Sequence, residues 1–311
     1  MKYVANFENF NTSLNEKLNE AYNPYDNILQ RLGGDLTTSA QTVQQYLDTG
    51  DNKKTILQGN LDGDKQDDKV SIKISSPRAQ QLKPSQSTVY PDQSIGMLIT
   101  APPLRDQILS GTVQAESMFV SSDGYIIDGH HRWSATHALN PKAKLVVTQI
   151  NLPIKVALPV LNAILRATNT EGQGKSGRPG RNVFQGASKD EVHDIISDVI
   201  KNGVAGGQWM PPKEHFNADG DPTEWYKFIA SRLKAAQSWK EVPYIISANI
   251  NKMNKPAKFF GARDQMPQIP DDSSSVKSIL KSGIMDIQPP LRSKYAKKMK
   301  NKPSLAGEGP K

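Results

Sequence analysis

The chain has 311 residues, 36% of them hydrophobic and 23% charged, with 39 Lys and Arg against 31 Asp and Glu for a net charge of +8. That length allows two modest domains, or one core with long extensions. The absence of cysteine removes disulfides, thiolate metal sites, iron–sulfur clusters and thiol nucleophiles together. No apolar run approaches the ~18 residues of a membrane span, and the opening Met1-Lys2-Tyr3-Val4-Ala5-Asn6 carries no secretory apolar core. A chain with no membrane partner is expected.

Residues 1–68 read as a helical and polar N-terminal segment. Phe7, Phe10, Leu14 and Leu18 recur at helical spacing, Tyr25, Ile28, Leu29 and Leu32 follow Pro24, and Gly33-Gly34 ends the pattern. Such an amphipathic stretch packs on its own core or docks on a partner. Asn60, Asp62, Asp64 and Asp68 have the spacing of calcium-loop oxygen ligands, with Lys65 where the loop's Gly belongs and Ser71 where its Glu belongs. The alternative there is an acidic surface turn.

Residues 69–168 change period. Val70, Ile72 and Ile74 alternate as in a half-buried strand, and Ile95–Ile99 and Lys144–Leu152 also read as strands. Pro102-Pro103 opens a helix through Ser110, and Ser117–Val120 with Tyr125–Ile127 form a hairpin about Ser122-Asp123-Gly124. A helix from His130 to Leu139 closes at Asn140-Pro141. Strands mixed with helices predict an α+β domain.

Residues 169–187 form a Gly-rich basic linker. Its Gly172-Gln173-Gly174-Lys175-Ser176-Gly177 suggests a phosphate loop, but Asn169 stands where the first Gly of that motif belongs. Residues 188–311 are helical with a basic tail. Ser188 and Glu191 make a capping box, and Val192, Ile195, Ile196, Val199 and Ile200 share one face before Gly203. A second helix from Asp221-Pro222 buries Trp225, Phe228, Ile229 and Leu233, and a short one is expected beyond Ser273. From Lys281 to Lys311 eight basic residues face two acidic ones, Asp286 and Glu308. This reads as a solvated extension or as a tether to a polyanion such as DNA.

Chemistry concentrates at Tyr125–Ala135. A strand ends at Asp128, Gly129 permits a tight turn, and a helix starts at once, aiming its first N–H groups and the positive end of its dipole at that turn. His130, His131 and Arg132 add cation-capable donors, so the expected ligand is a phosphate group. A shared metal ion is disfavoured, because adjacent helical histidines cannot both face one ion.

Residues 126–135, Ile-Ile-Asp-Gly-His-His-Arg-Trp-Ser-Ala, resemble the signature turn of the ParB/sulfiredoxin superfamily. Leu82-Lys83-Pro84-Ser85-Gln86 resembles that family's first box, so the likeness runs from about Val70 to Thr168. It implies a ParB/sulfiredoxin-like mixed sheet that binds a nucleotide or another phosphorylated ligand. Gly129, His130, His131, Arg132, Ser85 and Gln86 would contact the ligand, joined by Glu171 through Asn169-Thr170-Glu171, the counterpart of a nucleotide-contacting motif in partitioning proteins.

Sulfiredoxin chemistry needs a cysteine that this chain lacks. The Asp-Gly-His-His-Arg string is closest to free-serine-kinase-like members, whose acidic base is replaced here by Gln86. If phosphoryl transfer or nucleotide hydrolysis occurs, Asp128, His130, His131 and Arg132 are its expected residues, Asp123, Glu116 and Glu171 are further carboxylates, and magnesium is the expected ion. Two other readings stand beside it: a DNA-associated ParB-like nuclease, and a phage structural protein with a relic pocket. The latter draws on an opening that resembles tailed-phage proteins. The expected location is the cytoplasm, or the virion and host cytoplasm for a phage protein.

Overall fold

Among the described residues, five strands form one mixed sheet: β1 (Ile72–Ser75), β2 (Lys83–Pro84), β3 (Thr112–Val120), β4 (Tyr125–Asp128) and β5 (Lys144–Ile150), in the order β1-β5-β3-β4-β2. The computed structural model describes residues 71–154, 182–204 and 219–256, with isolated positions at 157, 158, 161, 210, 211, 276, 277 and 280. The N-terminal helical segment, Asn60, Asp62, Asp64 and Asp68, Val70, Glu171, the Gly-rich basic stretch and the basic tail lie outside these residues. Pairs β1/β5 and β3/β4 are antiparallel, whereas β3/β5 and β2/β4 are parallel. The architecture is therefore α+β with a mixed sheet, as the element order implied.

The described helices are α1 (Pro91–Thr100), α2 (Pro102–Ser110), α3 (His130–Leu139), α4 (Lys189–Asn202), α5 (Thr223–Ala230) and α6 (Val242–Asn251). One stretch expected as a strand, Ile95–Ile99, is instead the body of α1. A short apolar run cannot separate a buried strand from a buried helix. What decides here is Pro91 at the first helical position with Asp92 behind it, and burial at Pro91, Ser94, Ile95, Leu98 and Ile99, which is helical spacing. Gly96 fits because a Cβ there would fall 2.3 Å from Val204 Cγ2, so the backbone of α1 packs directly on the segment after α4. Helix α6 was not anticipated; polar Ser247, Asn249 and Asn251 obscure the buried row Val242, Ile246 and Ile250.

The main core runs continuously from Leu82, Ile95 and Met118 through Trp133 to Ile196, Trp225 and Ile246, so α4, α5 and α6 share the core of the sheet and α3. Trp133, fully buried, donates Nε1–H to Ala79 O at 2.8 Å. Successive strand residues face opposite sides, and Ile127 and Phe119 accordingly lie on the other face, where Lys277 Nζ sits 6.0 Å from the Phe119 ring centre. At the sheet edge Ile74 is 53% exposed, so β1 lacks the half-buried face that alternation suggested. Between Gln114 and Phe119 the β3/β5 register shifts, and Thr148 Oγ1 donates to the displaced Glu116 O at 2.7 Å. Among the described residues no helix is long and apolar enough to cross a membrane.

Candidate functional site

The turn between β4 and α3 can be built only with glycine at its centre. Gly129 has φ +98, in the left-handed region, and a Cβ would lie 2.4 Å from Met118 Cγ. The surface that excludes a side chain is thus β3, rather than a ligand. Asp128 Oδ1 accepts the Gly129 N–H at 2.8 Å, and no side chain caps the start of α3.

Parallel pairing of β2 with β4 (Lys83↔Tyr125, Pro84↔Ile126) brings the ends of both strands to one edge. The Ser85–Tyr90 loop therefore lies beside the Gly129 turn. Both histidines fasten it there. His130, 4% exposed, accepts the Ser85 N–H on Nε2 at 3.1 Å, and His131 accepts the Tyr90 N–H on Nε2 at 3.3 Å while stacking on the Tyr90 ring, 6.1 Å between centres. Ser85 is fully buried and its hydroxyl donates to Ile126 O. Gln86, also buried, braces the loop from inside by donating Nε2–H to Thr88 O at 2.6 Å.

Arg132 turns the other way, donating Nη1–H to Ser117 Oγ at 2.6 Å, next to the irregular stretch of β3. Ser85, Gln86, His130 and His131 are thus brought together, Asp128 and Gly129 sit at the pivot, and Arg132 reaches toward β3. The expected convergence of three cationic side chains on one oxyanion is not the arrangement found, since each of the three has its own partner. Asp123 is engaged in the hairpin, where Oδ1 accepts Ser121 Oγ–H at 2.5 Å and Ile154 N–H at 2.9 Å.

Two participants escaped the sequence reading. Tyr90 precedes α1 and looks like a helix-entry residue. Asn182, at the end of the linker, clasps the loop from a third side: Oδ1 accepts Val89 N–H at 3.2 Å, Nδ2 donates to Ser87 O at 2.6 Å, and Val183 N–H donates to Val89 O at 2.8 Å. An isolated Asn in a polar stretch offers no signal for such a role.

Two turns along α3 from His130, His137 is 2% exposed, and burial lowers its pKa to about 4. Among the described residues its Nδ1 has no hydrogen-bond partner. An open cavity of about 370 Å³ lies apart from this turn, lined by Gln185–Ser188, Glu191 and Asn251. Its polar walls are occupied, Asn251 bonding both N–H and C=O of Ala187 and Ser188 bonding Glu191, so the Gly129 turn remains the better candidate. Among the described residues no group of three or more His, Cys, Asp or Glu is placed to hold a metal.

No protein-family model, no curated protein and no solved structure matches this chain.

Proposed function

We propose that the chain binds a nucleotide or another phosphate ester in a crevice that opens between the start of α3 and the Ser85–Tyr90 loop when the ligand enters. The observation that carries the reading is the parallel β2/β4 pair, which sets two strand ends, a loop and a helix N-terminus on one edge. Crevices beyond the ends of parallel strands are where sheet proteins receive phosphates, because helix N–H groups and the helix dipole face the ligand. Arg132 would supply the cation by leaving its contact with Ser117 on β3 and swinging toward the ligand. The likeness of residues 126–135 to the ParB/sulfiredoxin turn supports the same assignment.

Binding is the reading; phosphoryl transfer or hydrolysis would further require a divalent ion, arriving with the nucleotide, to offset charge. The nuclease and phage-assembly alternatives draw on the basic tail and the opening residues, both outside the described residues. A ligand held only by the folded form raises stability by about 2.7 kcal/mol at a hundredfold excess over its Kd. Nucleoside triphosphates at millimolar concentration should therefore raise the melting temperature, and Arg132→Ala should remove most of that rise. A wild-type chain whose melting is indifferent to every nucleotide and to tripolyphosphate rules the reading out.

A further inference from the structure

We infer that His130 and His131 are positioning residues that latch the Ser85–Tyr90 loop through neutral imidazoles, so that acid unlatches the loop and weakens ligand binding. The inference rests on the crevice proposed above and assigns its control. A backbone N–H can only donate. The Nε2 atoms facing Ser85 N–H at 3.1 Å and Tyr90 N–H at 3.3 Å must therefore present lone pairs, which places each ring's proton on Nδ1. Protonating either ring sets N–H against N–H at the same distance. The imidazole contact at each end of the loop would be lost, while Ser85 Oγ stays on Ile126 O and the Ser87–Val89 stretch stays held by Asn182 and Val183.

The sign of the pH effect separates this role from the obvious one. Histidines that touch phosphate directly bind it more tightly as they gain charge, so affinity would rise toward acid. A latch predicts the reverse. Among the described residues, the ionisable groups that the neighbouring elements contribute are Asp128 from β4, Arg132 from α3, Lys83 from β2, Glu116 from β3, Tyr90 from the loop and Asp92 from α1, with none from Asn182–Gln185. The carboxylates favour the charged rings and Arg132 and Lys83 oppose them, which moves the midpoint without changing the sign.

The test uses the full chain. Amide exchange at Ser85 and Tyr90, divided by the intrinsic rate at each pH and read without ligand, should lose protection as pH falls from 7.5 to 5. Nitrogen-15 spectra at pH 7.5 should show an unprotonated Nε2 on both rings. ATP affinity should fall about tenfold over that range beyond the fall seen in the glutamine double variant, the order expected when two neutral hydrogen bonds are lost. His130→Gln with His131→Gln puts an amide oxygen near each former Nε2 and cannot titrate, so affinity should persist and keep only the pH dependence that protonation of ATP itself imposes. Unchanged protection at both amides, an Nε2–H tautomer, or affinity that rises toward acid overturns the latch. Should ATP fail to bind at any pH, the crevice assignment falls, and the exchange and nitrogen measurements still decide what the histidines do.

Discussion

Helices α3 and α4 both begin immediately after a turn, and they satisfy their first N–H groups in opposite ways. Helix α4 looks after itself. Ser188 accepts the Glu191 N–H at 3.2 Å and Glu191 returns the favour to the Ser188 N–H at 2.8 Å, all within four consecutive residues. Helix α3 starts at a left-handed glycine with no capping side chain, and the residues of its first turn spend their side chains on a loop and a strand far away in sequence. A self-capped start has little left to offer a ligand. An uncapped one, walled by a loop held at both ends, retains its electrostatic attraction for an anion.

The contrast can be broken most severely at Gly129. Gly129→Ala combines left-handed strain with overlap against Met118 and should cost about 3 kcal/mol, read as a lowered urea midpoint at unchanged slope. At the far end of α3, His137 sharpens it through pH. Its folded pKa of about 4 lies below the ordinary imidazole value of 6.5, because burial disfavours the charged ring. The folded state thus binds fewer protons than the unfolded one between those values. The stabilisation is complete above about 6.5 and is lost as pH falls toward 4, amounting to about 3 kcal/mol. Denaturation curves at pH 7 and pH 4 should differ less for His137→Gln than for wild type. Equal differences would mean that other groups carry the acid sensitivity. The mildest change is at α4, where Ser188→Ala should cost about 1 kcal/mol and Ser188→Gly a few tenths, by the usual scale of N-caps. That loss should leave unchanged any nucleotide affinity measured for the wild type, since α4 contributes no residue to the proposed site at the Gly129 turn and the Ser85–Tyr90 loop.

What could be seen in the amino acids follows the same division. The capping box of α4, the Ser122-Asp123-Gly124 hairpin, α2 and the span of α3 are all specified by neighbours in sequence, and each lies where spacing put it. The strand assigned to Ile95–Ile99 failed because four apolar positions read alone do not reveal their period, whereas Pro91 and the wider burial pattern do. The Asp128–Arg132 turn was visible as a special object, but the orientation of its side chains was not. His130 and His131 meet partners 45 and 41 residues earlier, and Asn182 meets the loop across 93 and 95 residues. Local spacing carries no information on contacts that only the parallel β2/β4 pairing creates.

The clasp by Asn182 sets an order of events during synthesis. Every described strand of the sheet has left the ribosome once residue 150 is free, yet the loop's middle cannot be fastened until Asn182 and Val183 emerge as well. Translation thus delivers the five described strands first and the clasp on the Ser85–Tyr90 loop only some thirty residues later, so a nascent chain passes through a stage that has those strands and lacks the fastened loop.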